Sequence, residues 1–275
     1  MRFKFATVQD ARTRYIEAGS GPALLLVHGS GMSTDSWLPI VPGLAKSFSV
    51  YAPDLLDNGL TERGRYAGGP PQPHMMDHLL AFADQLGLQR FSVVGSSLGC
   101  VLAILMYLQH PKRIDKLVLV GPGSLLAPPA QNDDAFKAAY ANGKSAIENP
   151  SFESCKARMA RVVFDIGKVP ESLLVMQMLV NALPGAMESF ERRMNGMNSP
   201  EARNKFAIHD KLAQIAAPTL TICGKQDPRD KDNQAAADAK KIPGSRVISY
   251  DRCGHWPHLE HPATFVNDVA AFVAS

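Results

Sequence analysis

The residues best suited to chemistry in this chain surround one serine. Ser97 lies at the centre of the sequence Gly-Ser-Ser-Leu-Gly at residues 95–99, after an apolar run typical of a strand and before one typical of a helix. This G-x-S-x-G pattern predicts a nucleophile elbow, a sharp turn that lifts a hydroxyl clear of a sheet. The backbone must pass close on both sides, so Gly95 and Gly99 are expected where no side chain fits. Ser96 is the alternative nucleophile, and an ordinary helix N-cap is the simpler role for Ser97.

A serine hydroxyl is a weak nucleophile until a base takes its proton. His255 follows the last predicted strand, and Asp227 follows the strand before it. Loops of this kind meet at one edge of a parallel sheet, so we expect His255 to be the base and Asp227 the acid that orients it. The chain order serine, aspartate, histidine is the one expected of this arrangement. Other candidate acids are Asp230, Asp232 and Asp251.

Acyl transfer also needs donors for the oxyanion that develops on the substrate. The N–H of Leu98, directly after the serine, is placed to supply one. The turn His-Gly-Ser-Gly at residues 28–31 is placed to supply the other through the Ser30 N–H, and Gly31 lets that backbone approach the substrate. We expect His28 to be a buried structural residue that shapes this turn.

Apolar strand patterns alternate with helical ones along most of the chain. This alternation predicts an α/β fold with a mostly parallel central sheet and helices on both faces, after a hairpin near the start. From residue 124 to 206 the pattern is helical and interrupted by prolines. A segment that long is too large for an ordinary connection. We expect core segments at 1–123 and 207–275, with an inserted helical cap at 124–206 over the carboxyl edge of the sheet.

Composition excludes several classes of function. The chain is 275 residues long, 45% hydrophobic and 20% charged, with a net charge of +3 and no basic stripe, so no nucleic-acid partner is expected. No run is long enough for a membrane span, and no membrane partner is expected. The four separate cysteines favour free thiols in the cytoplasm. A small-molecule substrate is the expected partner, and homo-oligomer formation stays open.

One cluster near the end of the chain could suggest a metal site. Its members are Cys253, His255, His258 and His261. Pro257 and Pro262 prevent one regular helix from presenting them on a common face, and no second ligand cluster exists. We therefore expect no metal and no cofactor.

Taken together, these motifs resemble the α/β-hydrolase superfamily across nearly the whole chain, and the resemblance implies the α/β-hydrolase fold. The matching pieces lie at residues 28–31, 95–99, 224–228 and 253–256. Within the superfamily, His-Gly-Ser-Gly together with Gly-His-Trp resembles the meta-cleavage product hydrolases. Those enzymes split a carbon–carbon bond in vinylogous diketo acids from aromatic-ring degradation, without a cofactor.

The resemblance also carries expectations about individual residues. It implies catalytic-triad roles for Ser97, Asp227 and His255. It places Trp256 near the substrate, and it implies a lid arginine for the substrate carboxylate, for which Arg192 or Arg193 is the candidate.

The sequence therefore predicts a serine hydrolase acting on a small, mostly apolar carbonyl compound. Carbon–carbon hydrolysis requires a cation for the substrate carboxylate, whereas carboxylester or lactone hydrolysis requires none. The alternatives are a ligand-binding receptor that does not turn over and a cofactor-free lyase or perhydrolase on the same triad. The families of similar sequence that hydrolyse epoxides or remove halogens have an aspartate at the elbow. Ser97 at that position argues against both reactions.

Overall fold

An eight-stranded, mostly parallel sheet runs through the protein. The structure, a computed structural model, describes residues 1–66, 68–131 and 133–275. The strands are β1 (Arg2–Val8), β2 (Ala11–Ala18), β3 (Ala23–Val27), β4 (Ser49–Pro53), β5 (Phe91–Ser96), β6 (Ile114–Val120), β7 (Thr219–Gly224) and β8 (Arg246–Tyr250). Their order is β1-β2-β4-β3-β5-β6-β7-β8, with β2 antiparallel to both of its neighbours and the other pairs parallel. The α/β expectation and the N-terminal hairpin are confirmed.

The helices connect the strands and cover both faces of the sheet. They are α1 (Val41–Leu44), α2 (Pro71–Gln85), α3 (Leu98–Gln109), α4 (Asp133–Glu148), α5 (Phe152–Ala160), α6 (Glu171–Ala182), α7 (Ala186–Met197), α8 (Pro200–Lys205), α9 (Gln234–Ala239), α10 (Pro257–Glu260) and α11 (Pro262–Ala274). Short 3-10 turns join several of them.

Each central strand supplies two apolar layers because its side chains alternate between the faces of the sheet. In β3, Leu25 and Val27 join the layer that packs under α2 and α3. Leu24 and Leu26 join the layer that packs under α11. This is why the strand is apolar at successive positions rather than at every second one.

Prolines decide two helix boundaries. α2 begins at Pro71 and also contains Pro73 in its first turn. Proline is tolerated in the first helical turn because the N–H groups there have no intrahelical acceptor. Pro39 lies between the 3-10 turn at Thr34–Trp37 and the single helical turn of α1, which contains Pro42.

Five helices, α4 to α8, follow β6 and precede β7; we call them the cap helices. A third apolar cluster joins them to the rest of the fold, with Met159 and Leu173 from the cap side against Met32 and Trp256. The predicted limits of the cap, residues 124 and 206, stay a prediction.

A buried group of three charges ties the loops after β3 and β4 to the hairpin. Arg14 contacts Asp35 at 2.5 Å and Asp54 at 2.7 Å, and all three side chains are almost fully buried. Burial alone would lower the pKa of Arg14, but the two carboxylates raise it above its ordinary value. Asp54 also accepts hydrogen bonds from the N–H groups of Thr34 and Leu60. These contacts hold the loop that carries residues 28–31.

No single helix among the described residues is long and apolar enough to cross a membrane. The bent pair of α6 and α7, which meet at 93°, satisfies the length and composition test only when the two are taken together.

We expect Arg14→Ala to lower the free energy of unfolding by about 3–5 kcal/mol, because it leaves two buried carboxylates without their counterion. Denaturant unfolding measures this loss. Lys4→Ala is the matched control, since it breaks a partly solvent-exposed ion pair with Glu17 on the same hairpin, and it should have little effect. Equal losses in the two variants would contradict the role of the buried group.

Candidate active site

Ser97 occupies a backbone conformation that few residues adopt. Its φ is 53° and its ψ is −115°, at the position just before α3, and its side chain makes no capping hydrogen bond. A simple N-cap role is therefore wrong. A Cβ at Gly95 would overlap the Gly99 carbonyl, and one at Gly99 would overlap the Val27 carbonyl. The prediction that only glycine fits at these two positions is confirmed.

Asp227 and His255 meet at the carboxyl edge of the sheet. His255 Nδ1 donates to Asp227 Oδ2 at 2.7 Å, and both side chains are buried. The second carboxylate oxygen, Oδ1, accepts from the Arg229 N–H at 2.8 Å. Because each oxygen accepts one hydrogen bond, the carboxylate has a fixed orientation. It holds the neutral imidazole in the tautomer that carries its proton on Nδ1.

The other candidate acids lie elsewhere. Asp230 is buried and accepts from the Ala235 N–H at 2.8 Å, and burial raises its pKa to about 6. Asp251 is exposed and faces Lys225. Asp232 is exposed as well. Of the four aspartates considered, Asp227 is the one that contacts His255.

The free nitrogen of His255 is available for proton transfer. Its Nε2 is buried and has no hydrogen-bond partner among the described residues, and His255 lines the same cavity as Ser97. Burial lowers the pKa of His255 below its ordinary value of 6.5, although the Asp227 carboxylate acts in the opposite direction. The imidazole is therefore neutral at neutral pH and able to accept a proton.

The turn at residues 28–31 lies beside the elbow. The Ser30 and Leu98 N–H groups donate to no acceptor within the part of the chain that the structure describes, and both residues line the cavity. His28 is fully buried; its Nδ1 donates to the Gly29 carbonyl at 2.8 Å, and its Nε2 accepts from the Leu55 N–H at 2.9 Å. His28 thus shapes the turn, as expected.

The cavity above these residues has a volume of about 190 Å³ and a mostly apolar wall. Apolar side chains that line it include Leu98, Val101, Leu125, Phe136, Phe190 and Met194. Gly31 lines it too, in agreement with the expectation that its backbone lies near a substrate. The cavity fits a small, largely apolar molecule.

The structure places Arg158, which sequence reasoning missed, in the cavity wall. It lies on α5, whose buried residues are Cys155, Arg158 and Met159. The sequence did hold a signal for this residue: Arg158 lies three positions after Cys155, on the buried face of the helix. Charged side chains are rarely buried without a partner, so an arginine at such a position indicates a functional role.

Three residues that were expected to contact the substrate, or were candidates to do so, lie outside the main cavity wall. Arg192 pairs with Asp57 at 2.8 Å. Arg193 donates to the Asp57 carbonyl and lines a smaller adjoining cavity. Trp256 is fully buried behind His255, with ring centroids 4.6 Å apart, and it packs so close to Gly29 that a Cβ there would lie 2.9 Å from the indole. Neither Arg192 nor Trp256 lines the main cavity, and the expectation that they contact or lie near the substrate stays a prediction.

The histidine loop is bonded to the cap. The His255 N–H donates to the Val162 carbonyl at 2.7 Å. Glu260, which sequence reasoning also missed, accepts from the Gly254 N–H at 2.7 Å through one oxygen. Its other oxygen accepts from the N–H groups of Phe164 and Asp165. The position of His255 therefore depends on the cap as well as on the sheet.

Comparison with known proteins finds hydrolases both among the sequence relatives and among the solved structures. A chain from Pseudomonas sp. (strain CF600), a 2-hydroxymuconate semialdehyde hydrolase, is 29% identical over 96% of this chain and 90% of its own length. A 2-hydroxy-6-oxononadienedioate/2-hydroxy-6-oxononatrienedioate hydrolase from Cupriavidus pinatubonensis is 27% identical over 99% and 95%. The structure of the 2-hydroxy-6-oxo-6-phenylhexa-2,4-dienoate hydrolase from Rhodococcus sp. strain RHA1 matches with a TM-score of 0.84 at 22% identity, over 100% of this chain and 99% of that one.

The sequence profile of the alpha/beta hydrolase family matches residues 24–269, which is most of the chain. This match agrees with the sheet order, the elbow and the loops described above. The chain belongs to the alpha/beta hydrolase family, and it is a hydrolase.

Proposed function

We propose that this hydrolase cleaves a carbon–carbon bond in a small diketo acid, with Ser97, His255 and Asp227 as its catalytic triad. The observation that carries the proposal is Arg158, a buried cation in the cavity wall without a carboxylate partner among the described residues. An ester or lactone hydrolase with an apolar substrate has no use for such a charge, whereas a keto acid supplies the missing anion.

The surroundings of Arg158 support this assignment. Its side chain is 8% exposed, and its Nη1 donates to the neutral amide oxygen of Gln177 at 3.2 Å. Its other polar contacts are the sulfur atoms of Met32 and Met159, which are weak acceptors. Burial lowers the pKa of Arg158 to about 10, so the group is still charged at neutral pH. A buried charge without a counterion costs free energy that a bound carboxylate would offset.

Arg158 also lies next to the catalytic loop. A Cβ at Gly31 would lie 2.9 Å from Arg158 Nη2, so the guanidinium reaches the loop that carries the Ser30 N–H. A carboxylate held there places the remainder of the substrate across the elbow. This position suits the fragment that leaves when the carbon–carbon bond breaks.

The first half of the reaction forms an acyl-enzyme. Ser97 Oγ attacks the ketone carbon while His255 Nε2 takes the hydroxyl proton, and the oxyanion accepts from the Ser30 and Leu98 N–H groups. The carbonyl then re-forms and the carbon–carbon bond breaks. Its electron pair passes into the conjugated keto acid fragment, which takes the proton back from His255.

The second half releases the acid. Water attacks the acyl carbon and gives a proton to His255 Nε2, and the second tetrahedral oxyanion uses the same two donors. Its collapse breaks the bond to Ser97 Oγ, which recovers the proton. The sum is one substrate and one water giving two products, a carboxylic acid and a shortened keto acid. Asp227 orients His255 and stabilises the imidazolium in both halves.

The names of the relatives support the same chemistry. Those reported above hydrolyse semialdehyde, phenyl and dioate forms of hydroxy-oxo compounds. We extend only the reaction class to this chain, because the cap side chains, not the triad, select the substrate.

We also propose that the protein works in the cytoplasm. Its four cysteines are free and buried, and burial raises the pKa of the Cys100 thiol to about 12. Free thiols of this kind are typical of a reducing compartment.

We expect Ser97→Ala to lower kcat by about 10⁴-fold or more and to abolish labelling by a fluorophosphonate, because the nucleophile is removed. Mass spectrometry of the labelled protein measures the second effect. Ser96→Ala is the matched control, because Ser96 is the neighbouring residue and its hydroxyl is buried without a hydrogen-bond partner among the described residues. Labelling that survives in Ser97→Ala and disappears in Ser96→Ala would reassign the nucleophile.

We expect kcat/KM to fall about tenfold per pH unit on the acidic side, with a midpoint below pH 6.5, since protonated His255 cannot accept the serine proton. Stopped-flow or steady-state rates across pH measure the profile. Asp227→Asn removes the charge that raises the pKa of His255, so the midpoint of its residual activity should move lower still. A midpoint above 6.5 in the wild type, with the fold intact by circular dichroism, would contradict this environment.

We expect Arg158→Gln to lower the ratio of kcat/KM for a diketo acid to kcat/KM for its methyl ester about 100-fold below the wild-type ratio. The reason is that the carboxylate loses its charged partner. The ratio between the two substrates is the measured quantity. Arg161→Gln is the control, an exposed arginine three residues further along the same segment. A wild-type enzyme that hydrolyses aryl esters but cleaves no diketo acid would favour the ester alternative.

A further inference from the structure

Gln177 is a buried polar residue to which the reaction described above gives no role. It lies on α6, where the other buried residues are Leu173 and Leu174. A buried amide costs free energy unless both its oxygen and its nitrogen have hydrogen-bond partners. The partners of Gln177 therefore indicate what the amide does.

The amide of Gln177 contacts both the cap and the loop after β3. Its oxygen accepts from Arg158 Nη1 at 3.2 Å, so α6 holds the guanidinium that α5 supplies. Its nitrogen donates to Met32 Sδ at 2.9 Å and lies 3.7 Å from Met159 Sδ. Met32 follows Ser30, the proposed oxyanion donor, by two residues. The amide thus connects the buried cation of the cap to the loop that carries this donor.

The surroundings fix the orientation of this amide. If the amide were reversed, its NH₂ group would face the guanidinium of Arg158, donor against donor. Its oxygen would then face the sulfur atoms of Met32 and Met159, which act only as acceptors. The observed orientation gives each end of the amide a partner of the opposite kind. Arg158 therefore meets a hydrogen-bond acceptor at one defined place.

The neutrality of Gln177 matters as much as its position. An amide oxygen accepts a hydrogen bond from Arg158 without cancelling its charge. Arg14 shows the contrast, since two carboxylates hold it and compensate its charge within the fold. Burial lowers the pKa of Arg158 most, and the like charges of Arg229 and Arg193 lower it further. The guanidinium is thus held in place while its charge stays available to an anion.

Gln177 itself stays out of the main cavity. Arg158 lines both cavities, whereas Gln177 lines only the smaller adjoining one. It is therefore placed to act on a molecule in the main cavity through Arg158 and not by direct contact.

We propose that Gln177 is a positioning residue for Arg158: its neutral amide holds the guanidinium against the loop after β3 and leaves the charge free for the substrate carboxylate. The inference deepens the proposed function and rests on it for the role of Arg158. A bound acid group then has a fixed place relative to Ser97. The preference of the enzyme for an acid over a neutral analogue therefore depends on Gln177.

The test compares acids with neutral analogues in two series of substrates. The first series is a diketo acid and its methyl ester. The second series needs no carbon–carbon cleavage: it is the acetate ester of 3-hydroxybenzoic acid and that of 3-hydroxybenzamide, in which the leaving fragment carries the charge or lacks it. The measured quantity is the acid ratio, which is kcat/KM for the acid divided by kcat/KM for its neutral analogue. Differences in intrinsic reactivity cancel when the acid ratio of a variant is divided by that of the wild type.

We expect Gln177→Leu to lower the acid ratio about tenfold, because the guanidinium keeps its charge but loses the hydrogen bond that fixes it. Gln177→Glu should lower it about 100-fold, since the new carboxylate pairs with Arg158 and repels the carboxylate of the substrate. A purely structural role would change both members of a substrate pair alike and leave the acid ratio at the wild-type value.

A double variant shows whether Gln177 acts through Arg158. In the Arg158→Gln background, Gln177→Leu should not lower the acid ratio further, because no charge is left to position. Asn181→Leu is the matched control: its amide lies one turn later on α6 and donates to the Ala146 carbonyl at 3.2 Å. It should leave the acid ratio unchanged. Fluorophosphonate labelling of Ser97 checks that each variant is folded, and if Gln177→Leu is not, the glutamate variant decides.

Two outcomes overturn the inference. One is a wild-type acid ratio in the folded Gln177 variants. The other is an effect of Gln177→Leu that persists undiminished in the Arg158→Gln background, which would mean that Gln177 acts independently of Arg158.

The proposed function fails separately. If the acetate esters show an acid ratio that falls in the Gln177 variants but no diketo acid is cleaved, carbon–carbon hydrolysis is wrong and the inference stands. If a diketo acid is cleaved and the Gln177 variants keep the acid ratio, only the inference is wrong. If Arg158→Gln leaves the acid ratio unchanged in both series, Arg158 binds no carboxylate, and the role of Gln177 is wrong as well.

Discussion

The active site depends on one tight backbone turn at Ser97. A φ of 53° and a ψ of −115° cost about 1–3 kcal/mol for a residue with a side chain, so the surroundings must hold the turn in place. The Ser97 N–H donates to the Val120 carbonyl at 3.0 Å, and the Ser97 carbonyl accepts from the Cys100 N–H at 2.8 Å. Gly99 allows α3 to pass against the end of β3. Ser30 and Leu98, the two proposed oxyanion donors, line the same cavity as Ser97.

The charges of the protein divide into two kinds. Arg14, buried beneath the loops, has two carboxylate partners and stabilises the fold. Asp227 pairs with His255, which it stabilises in the proposed reaction. Arg158 is also buried but faces the cavity without a carboxylate partner among the described residues. A cation that costs free energy in the folded protein is retained where a ligand compensates it, and this links the electrostatics of the cavity to the choice of an acidic substrate.

The cap helices and the segment that joins α5 to α6 contact the candidate active site in two ways. Arg158 comes from α5, so a cap helix supplies the cation that is proposed to bind the substrate carboxylate. The peptide units at residues 162–165 bond to His255 and Glu260, so the cap also fixes the histidine loop. Gly254 permits this contact, since a Cβ there would lie 2.5 Å from the Val162 carbonyl. In the proposed reaction, a shift of the cap helices would therefore act on both the carboxylate-binding arginine and the histidine that serves as base.

Local patterns in the sequence were enough for the strands, most helices, the elbow and the loops that carry Asp227 and His255. Periodicity and turn chemistry act over a few residues, and the chain order of an α/β sheet brings the loops together. These local patterns did not indicate which cap arginine lacks a carboxylate partner. Arg192 is paired with Asp57, 135 residues away, while Arg158 has only a neutral amide. Which buried charge lacks a partner depends on contacts between distant segments, and only the tertiary structure decides those.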